Sequence, residues 1–212
     1  MKKPTLFLVD LDNTLLNNDA VKAEIRKSLI TVLGQSDAQH FWDHYNAIRT
    51  KTNLVDFPSA IKKYCEEKNA KTCDIRLKKI FHSINFKQAL YPNVENVLNH
   101  LKTKGEVALF TEGDMIYQKV KIEKSGVGAM VNHIYHFEHK LEHFEAIKKK
   151  FHTYHIVVID DRSETLMKLK ALYPEITIVE VCQGHYSDVD HKPHPELDKT
   201  IESIGDLLHR KL

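Results

Sequence analysis

Three short apolar runs, each followed directly by a polar side chain, constrain the fold of this sequence more than any other feature. The runs are TLFLV, VALF and IVVI, at residues 5–9, 107–110 and 156–159. Short apolar runs bounded by polar residues are typical of strands that are buried on both faces of a parallel sheet. The sequence therefore predicts an α/β protein whose core contains these three strands.

The residues that follow these runs carry groups that can bind an anion or a metal ion: Asp10, Asp12, Thr111, Asp160 and Asp161. Because the carboxyl ends of parallel strands lie at the same edge of a sheet, we expect these side chains to surround one pocket. Clustered carboxylates repel one another, so a bound cation would stabilise the pocket, and hard oxygen ligands favour Mg²⁺. The alternative is a set of ordinary acidic turns, which would have to follow each of three strands by chance.

Helical patterns dominate residues 17–90, where no convincing strand occurs. Four amphipathic helices are predicted there, at residues 19–34, 37–50, 57–69 and 74–86, with Asp19 and Ser59 as N-caps. From residue 91 onwards, helix and strand patterns alternate, and a last helix is predicted at residues 196–211. This order indicates a Rossmann-like α/β core (1–16 and 91–212) with a five-stranded parallel sheet and an inserted all-helical domain (17–90).

The composition excludes several classes of protein. A net charge of +2, from 31 basic and 29 acidic residues, argues against binding nucleic acid by bulk electrostatics. The first apolar run stops at Asp10, too early for a signal peptide, and no uncharged stretch approaches a membrane span. The three cysteines lack metal-ligand spacing and predict reduced thiols. We expect a cytoplasmic monomer or homodimer with no nucleic-acid or membrane partner.

Four segments together resemble the motifs of the haloacid dehalogenase (HAD) superfamily. DLDNT at residues 10–14 is similar to the first motif of that superfamily, and FTEGD at 110–114 is similar to its second motif. Lys140 stands where the family carries a lysine, and VIDD at 158–161 resembles the acidic fourth motif. The insert at 17–90 takes the place of the helical, C1-type cap. The resemblance spans the whole chain and implies a Mg²⁺-dependent hydrolase of a small phosphorylated metabolite.

The resemblance also implies a role for each motif residue. Asp10 would be the nucleophile that forms an aspartyl-phosphate, and Asp12 would be the general acid and base. The metal ligands would be Asp10, Asp12 (through its main-chain carbonyl), Asp160 and Asp161. The phosphate would be held by Thr111, by the amide groups that follow it, including that of Glu112, and by Lys140.

Two acidic side chains near these motifs need a separate expectation. The carboxylate of Glu112 would repel a phosphate if it faced the pocket, so we expect it to face outward. Glu164 follows the fourth motif closely and is a candidate for a further metal-binding acid. Whether Asp160 or Asp161 is the principal ligand stays open.

Asp12 favours a phosphatase over a dehalogenase. Dehalogenases of this family expel halide, which needs neither a proton nor Mg²⁺, and they lack a carboxylate at this position. An alkoxide leaving group does need a proton. The alternatives left open are a phosphomutase that uses the same residues and a non-catalytic binding protein with the same fold.

Other polar groups carry weaker predictions. His139 and His143 are spaced i,i+4, with His136 nearby, which could indicate a transition-metal site; solvent-exposed histidines are the simpler interpretation. His185, His191 and His194 receive the same interpretation. Arg26, Arg49 and Lys51 could reach a substrate from the helical insert, but a solvated helix face is the default expectation for all three.

Overall fold

The computed structural model describes residues 3–52, 54–69, 72–184 and 196–210. In these residues, six parallel strands form one sheet with the spatial order β3-β2-β1-β4-β5-β6. The strands are β1 (Thr5–Val9), β2 (Glu106–Glu112), β3 (His133–Phe137), β4 (His155–Asp160), β5 (Thr177–Val181) and β6 (Lys199–Ile201). The Rossmann-like α/β class is confirmed, but the predicted count of five strands is wrong.

The sixth strand replaces the helix predicted at residues 196–211. Lys199–Ile201 pairs with the outer edge of β5, and a 3₁₀ helix (Ile204–Leu208) follows it. The carboxylate of Asp206 accepts a hydrogen bond from the backbone N–H of Ser203. This contact stabilises the start of the 3₁₀ helix, which follows the end of β6. The apolar spacing of this segment fits a helix and a strand-plus-turn equally well, and pairing with the open sheet edge decides between them.

The helices predicted between β1 and β2 are confirmed, with shifted ends. They are α1 (Asn18–Leu33), α2 (Gln35–Thr52), α3 (Phe57–Lys68) and α4 (Cys73–Ser83), and α5 (Val94–Lys102) leads into β2. Both predicted N-caps are wrong. Asn17, not Asp19, caps α1 by accepting from the N–H of Ala20, and Asp56 caps α3 by accepting from the N–H of Ser59.

The remaining helices cover the sheet after β2. They are α6 (Tyr117–Ser125), α7 (Phe144–Lys150) and α8 (Ser163–Leu172), and a 3₁₀ turn (Lys140–His143) precedes α7. Alternate residues of β1 face opposite sides of the sheet. Phe7 and Val9 join the apolar cluster that extends into α1–α4, whereas Leu6 and Leu8 pack with residues of α7 and α8. The sheet is therefore buried on both faces, as continuous apolar strands require.

Two of the three cysteines form a disulfide, contrary to the prediction of reduced thiols. Cys65 in α3 and Cys73 at the start of α4 are bonded, with Cα atoms 5.5 Å apart, while Cys182 is free. The sequence separation of 8 residues could not reveal this pairing, because it depends on how two helix ends meet. None of the helices in the described ranges combines the length and apolar composition needed to cross a bilayer.

Candidate active site

A tight loop after β1 brings Asp10 and Asp12 to the same pocket. Asn13 adopts the left-handed conformation with φ of 57°, which asparagine tolerates better than most residues. The Asn13 carbonyl oxygen Oδ1 accepts a hydrogen bond from the N–H of Asn18 at 3.1 Å, and the backbone of Leu11 accepts from Leu15 and Leu16. The chain therefore reverses within a few residues, and both carboxylates line the pocket.

Lys140 joins the ends of β1 and β4. Its ammonium lies 2.7 Å from Oδ1 of Asp10 and 2.5 Å from Oδ2 of Asp160, and its side chain is almost fully buried. The backbone N–H of Arg162 donates to the other Asp160 oxygen at 2.9 Å. Burial alone would lower the pKa of Lys140, but the carboxylates of Asp10 and Asp160 raise it above its ordinary value. The lysine is therefore a fixed cation between two strand ends.

Three buried carboxylates share this single ammonium group. Ligand oxygens of Asp10, Asp160 and Asp161 lie within 4.8 Å of one another. Burial raises the pKa of Asp10 to about 7 in spite of Lys140, and burial together with Asp160 and Asp10 raises the pKa of Asp161 well above 3.8. Within the described part of the chain, no side-chain donor hydrogen bonds to Asp161. The excess of buried negative charge fits a divalent cation with oxygen ligands.

Asp12 is held by a different lysine. The ammonium of Lys121 lies 2.7 Å from both carboxylate oxygens of Asp12, and its side chain is completely buried. It also donates to Oδ1 of Asn18 at 3.3 Å. The Gln118 amide donates to Asp12 at 3.1 Å and to the hydroxyl of Thr111 at 2.9 Å. The orientation of Asp12 is thus fixed by α6.

Sequence reasoning missed both Gln118 and Lys121. The signal that could have found them is their place on the inward stripe of α6, where the buried residues are Tyr117, Gln118, Lys121, Ile122 and Ser125. A buried lysine in such a stripe requires an acidic partner. Thr111, near the end of β2, is fully buried. Its hydroxyl accepts a hydrogen bond from Gln118, and Thr111 is not among the residues that line the pocket.

The expectation that Glu112 faces outward is wrong. Its side chain lines the pocket, where one oxygen accepts from Arg162 at 3.2 Å and the other accepts from the backbone N–H of Lys140 at 3.1 Å. These two donors balance a carboxylate that faces the pocket. Glu164, the other acid considered, points away and pairs with Lys168 at 2.6 Å, with its side chain 72% exposed.

The wall opposite the strand ends carries two cations from the helical region. Lys22 of α1 and Arg49 of α2 both line the pocket, which has a volume of about 120 Å³. Burial and the nearby guanidinium of Arg49 lower the pKa of Lys22. Arg49 is exposed, as the default expectation has it, and also lines the pocket. Arg26 hydrogen bonds to Gln39 at 2.8 Å. A small pocket with cations on this wall suits a small anionic ligand.

The histidines considered at the sequence level do not gather into a metal site in the described residues. His136 contacts the backbone oxygen of Gly113 at 3.1 Å, and His143 stacks on Phe137 with ring centroids 4.0 Å apart. His185, His191 and His194 lie outside the described residues.

Comparison with known proteins identifies the family and the fold of this chain. The model of the haloacid dehalogenase-like hydrolase family matches residues 4–172. A haloacid dehalogenase-like hydrolase from Burkholderia xenovorans LB400 is 30% identical, with a TM-score of 0.87 over 97% of this chain and 95% of the other. The magnesium-bound HAD-hydrolase YfnB from Bacillus subtilis is 15% identical, with a TM-score of 0.64 over 99% and 98% of the two chains.

The fold is also shared with L-2-haloacid dehalogenase from Xanthobacter autotrophicus. That enzyme is 11% identical, with a TM-score of 0.61 over 98% of this chain and 97% of the other. A comparison with curated proteins finds no match. The family match covers most of the chain, and the chain therefore belongs to the haloacid dehalogenase-like hydrolases.

Proposed function

We propose that this protein is a Mg²⁺-dependent phosphatase of a small phosphorylated metabolite. The observation that carries the proposal is the pair Asp10 and Asp12 at one pocket, with Asp161 beside them. In this proposal, residues 1–16 and 91–212 are the catalytic core, and residues 17–90 are a cap over the pocket. The cationic wall formed by Lys22 and Arg49 supports an anionic substrate.

The metal would be held by the carboxylates of Asp10, Asp160 and Asp161, with the main-chain carbonyl of Asp12 as a further ligand. When bound, Mg²⁺ would neutralise charge on the phosphoryl group and keep the neighbouring carboxylates ionised. The mutual distances of these oxygens, within 4.8 Å for the three side chains, support such a site.

Asp10 would act as the nucleophile. One of its carboxylate oxygens would attack phosphorus and form an aspartyl-phosphate while the bond from phosphorus to the ester oxygen breaks. Asp12 would donate a proton to the departing oxygen, so that an alcohol leaves in place of an alkoxide. Lys140 lies beside Asp10 and would stabilise the charge that develops on the phosphoryl oxygens.

Asp12 would act as a base in the second step. Its carboxylate, left ionised by the first step, would take a proton from water as the water oxygen attacks phosphorus. Inorganic phosphate leaves, and the carboxylate of Asp10 is restored. Lys121 and Gln118 would keep Asp12 aimed at the same point in both steps.

L-2-haloacid dehalogenase shares this fold, so a reaction at carbon is the alternative to a reaction at phosphorus. A halide leaves without a proton, so such a reaction gives Asp12 no role as a general acid in the first step. The acid pair thus supports phosphorus as the reacting centre.

A direct assay tests the proposal. With Mg²⁺ present, the protein should hydrolyse p-nitrophenyl phosphate, and Asp10→Asn should abolish turnover while leaving the circular dichroism spectrum unchanged. Asp43→Asn, at an exposed acid of α2, is the matched control. Full activity of Asp10→Asn, or release of halide from a 2-haloacid in place of phosphate from esters, would overturn it.

The same assay separates the alternatives. A phosphomutase would convert a hexose 1-phosphate to its isomer with little free phosphate, whereas a phosphatase releases phosphate. A non-catalytic binding protein would turn over no member of a panel of phosphorylated metabolites. The panel would also identify the preferred substrate.

We also propose a cytoplasmic location, where phosphorylated metabolites are abundant. The disulfide between Cys65 and Cys73 argues against it, because disulfides are uncommon in reducing compartments. Alkylating free thiols at the moment of cell lysis tests the location: a reduced Cys65–Cys73 pair supports it, and a fully oxidised pair contradicts it.

A further inference from the structure

A second cluster of potential metal ligands lies on the helical region. His40 and His44 are one turn apart on α2, and Glu67 faces them from the end of α3. Nε2 of His40 lies 3.2 Å from one Glu67 oxygen, and Nε2 of His44 lies 2.9 Å from the other. As far as the described residues form it, the wall of the active-site pocket includes none of the three.

The spacing of these atoms fits a metal ion. The ligand atoms of the three residues lie within 4.8 Å of one another. Metal–ligand distances of about 2.0–2.1 Å in a tetrahedral site place neighbouring ligand atoms about 3.3 Å apart. Each imidazole nitrogen already lies close to that distance from one of the two Glu67 oxygens, so an ion could bind after small side-chain shifts.

The helix backbones hold this arrangement. Two histidines at i and i+4 project from the same face of a helix, so α2 presents both rings together. The rings stack with centroids 4.8 Å apart, and Tyr64 of α3 packs edge-on against both of them. An ion pair between Lys68 and Asp37, at 2.7 Å, ties the same two helices one turn away. The ligands are therefore oriented before any ion arrives.

Ordinary ion pairing explains this cluster less well. Two stacked imidazoles that share one carboxylate would both have to be protonated to form two ion pairs, and the two cations would then repel each other. Neutral imidazoles can instead each donate an Nε2–H to one Glu67 oxygen, which is the metal-free alternative that the experiment below tests. Neutral imidazoles bound to a divalent ion satisfy both rings and the carboxylate at once. The side chains are reachable from solvent, with exposures of 39% for His40, 12% for His44 and 51% for Glu67.

We propose that His40, His44 and Glu67 bind a transition-metal ion of the Zn²⁺ class. Two imidazole nitrogens with one carboxylate oxygen favour Zn²⁺ over Mg²⁺, which prefers oxygen ligands alone. Water would fill the remaining position. The ion would clamp α2 to α3, just as the disulfide at Cys65 joins α3 to α4. This site is independent of the phosphatase proposal.

Zn²⁺ binding to the untagged, metal-stripped protein tests the inference. Titration calorimetry in excess Mg²⁺, added to compete with Zn²⁺ at the aspartate cluster, should give one Zn²⁺ per chain. His40→Gln, His44→Gln and Glu67→Gln should each weaken binding about tenfold or more, since even outer-sphere losses cost that much. His152→Gln, at an exposed histidine outside the cluster, should bind like the wild type. Co²⁺ in place of Zn²⁺ should give a visible absorption band that His44→Gln removes.

A thermal melt supplies a readout that does not depend on the titration. Zn²⁺ should raise the unfolding temperature of the wild type and of His152→Gln, and should leave that of His44→Gln unchanged, because an ion bound only to the folded state stabilises it. The inference is overturned if the wild type binds no Zn²⁺ under these conditions. It is also overturned if binding survives unchanged in His40→Gln and His44→Gln, since the ion would then sit elsewhere.

Discussion

Lys121 and Lys140 are both buried at the pocket, yet their ammonium groups meet very different charges. Lys121 contacts one carboxylate, that of Asp12, whose side chain is 22% exposed. Lys140 contacts Asp10 and Asp160, which are buried, and Asp161 adds a third carboxylate to the same cluster. The first group of residues is balanced in charge, and the second carries a net negative charge when its three carboxylates are ionised.

The difference between the two groups fits the separate roles that we propose for Asp10 and Asp12. A carboxylate paired one-to-one is oriented by its partner and still reaches solvent, as a proton carrier must. A carboxylate in an unbalanced buried group is instead suited to share a divalent ion. Substitutions that disturb one group at a time test this difference in charge balance.

Replacing Lys140 should have the largest effect. Lys140→Met would leave Asp10, Asp160 and Asp161 buried without a cation, and losing one partner of a buried ion pair costs about 3–5 kcal/mol. Turnover of a phosphate ester should fall about 10²–10³-fold, because a preoriented charge beside the reacting group is lost. Urea unfolding and initial rates measure the two effects.

Lys149→Met is the control for Lys140→Met, because the side chain of Lys149 is 76% exposed. Excess Mg²⁺ should restore part of the stability of Lys140→Met, since a divalent ion can replace the missing charge. If Lys140→Met had the stability and the turnover of the wild type, the claim that Lys140 offsets an excess of negative charge would be wrong.

Replacing Lys121 should have a smaller effect. In Lys121→Met, water can solvate the exposed part of Asp12, so we expect a cost of about 1–3 kcal/mol in the free energy of unfolding. The kcat should fall by up to about 100-fold through misorientation of Asp12, with KM nearly constant, because we propose that Asp12 acts in the chemical step. Lys119→Met, on the outer face of α6 with 71% exposure, is the control. A rise in KM without a fall in kcat would assign Lys121 to substrate binding.

The surroundings of Lys140 could be predicted from the sequence better than those of Lys121. Asp10, Asp160 and Asp161 follow apolar strands directly, and parallel topology brings such positions to one edge, so their grouping was predictable. The partner of Asp12 was not, because Lys121 lies 109 residues away on a helix whose packing angle no spacing reveals. For the same reason the direction of Glu112 was predicted wrongly.

The fold divides in the same way. Interior strands and long helices carry local periodicity, and their order along the chain predicts the α/β class. The edge strand Lys199–Ile201 has only 3 residues, and its extended form depends on pairing with β5. The Cys65–Cys73 disulfide likewise depends on how α3 and α4 meet. These two features are set by contacts between elements, whereas the two N-caps were local features placed at the wrong residue.

Neutralising Asp161 should stabilise the protein without metal. The pKa of Asp161 is raised in the folded state, so the wild type loses stability as the pH rises from the ordinary value of 3.8 towards the folded pKa. Asp161→Asn has no carboxyl group to ionise at this position, so its stability does not fall in this way. It should be more stable than the wild type at neutral pH by about 0.5–2 kcal/mol, with the difference shrinking near pH 4.

Thermal melts with and without Mg²⁺ check this prediction. Mg²⁺ should raise the unfolding temperature of the wild type and of Asp43→Asn, and should raise that of Asp161→Asn much less. If Mg²⁺ stabilises Asp161→Asn as strongly as the wild type, Asp161 is not a ligand, and Asp160 becomes the principal one.

Neutralising Glu112 should have the smallest effect, because its carboxylate is already matched by Arg162 and by the N–H of Lys140. Glu112→Gln removes a negative charge from the pocket wall and keeps an oxygen acceptor for one of the two donors. We expect KM for an anionic ester to fall about two- to fivefold, the range typical of a partly exposed ion pair, with kcat nearly unchanged. Glu164→Gln, at an acid that points away from the pocket, should leave both constants unaltered. A higher KM in Glu112→Gln would contradict this expectation. It would mean that the Glu112 carboxylate holds Arg162 in position for the substrate. Glu112 would then be a carboxylate that is balanced by one partner, as Asp12 is by Lys121.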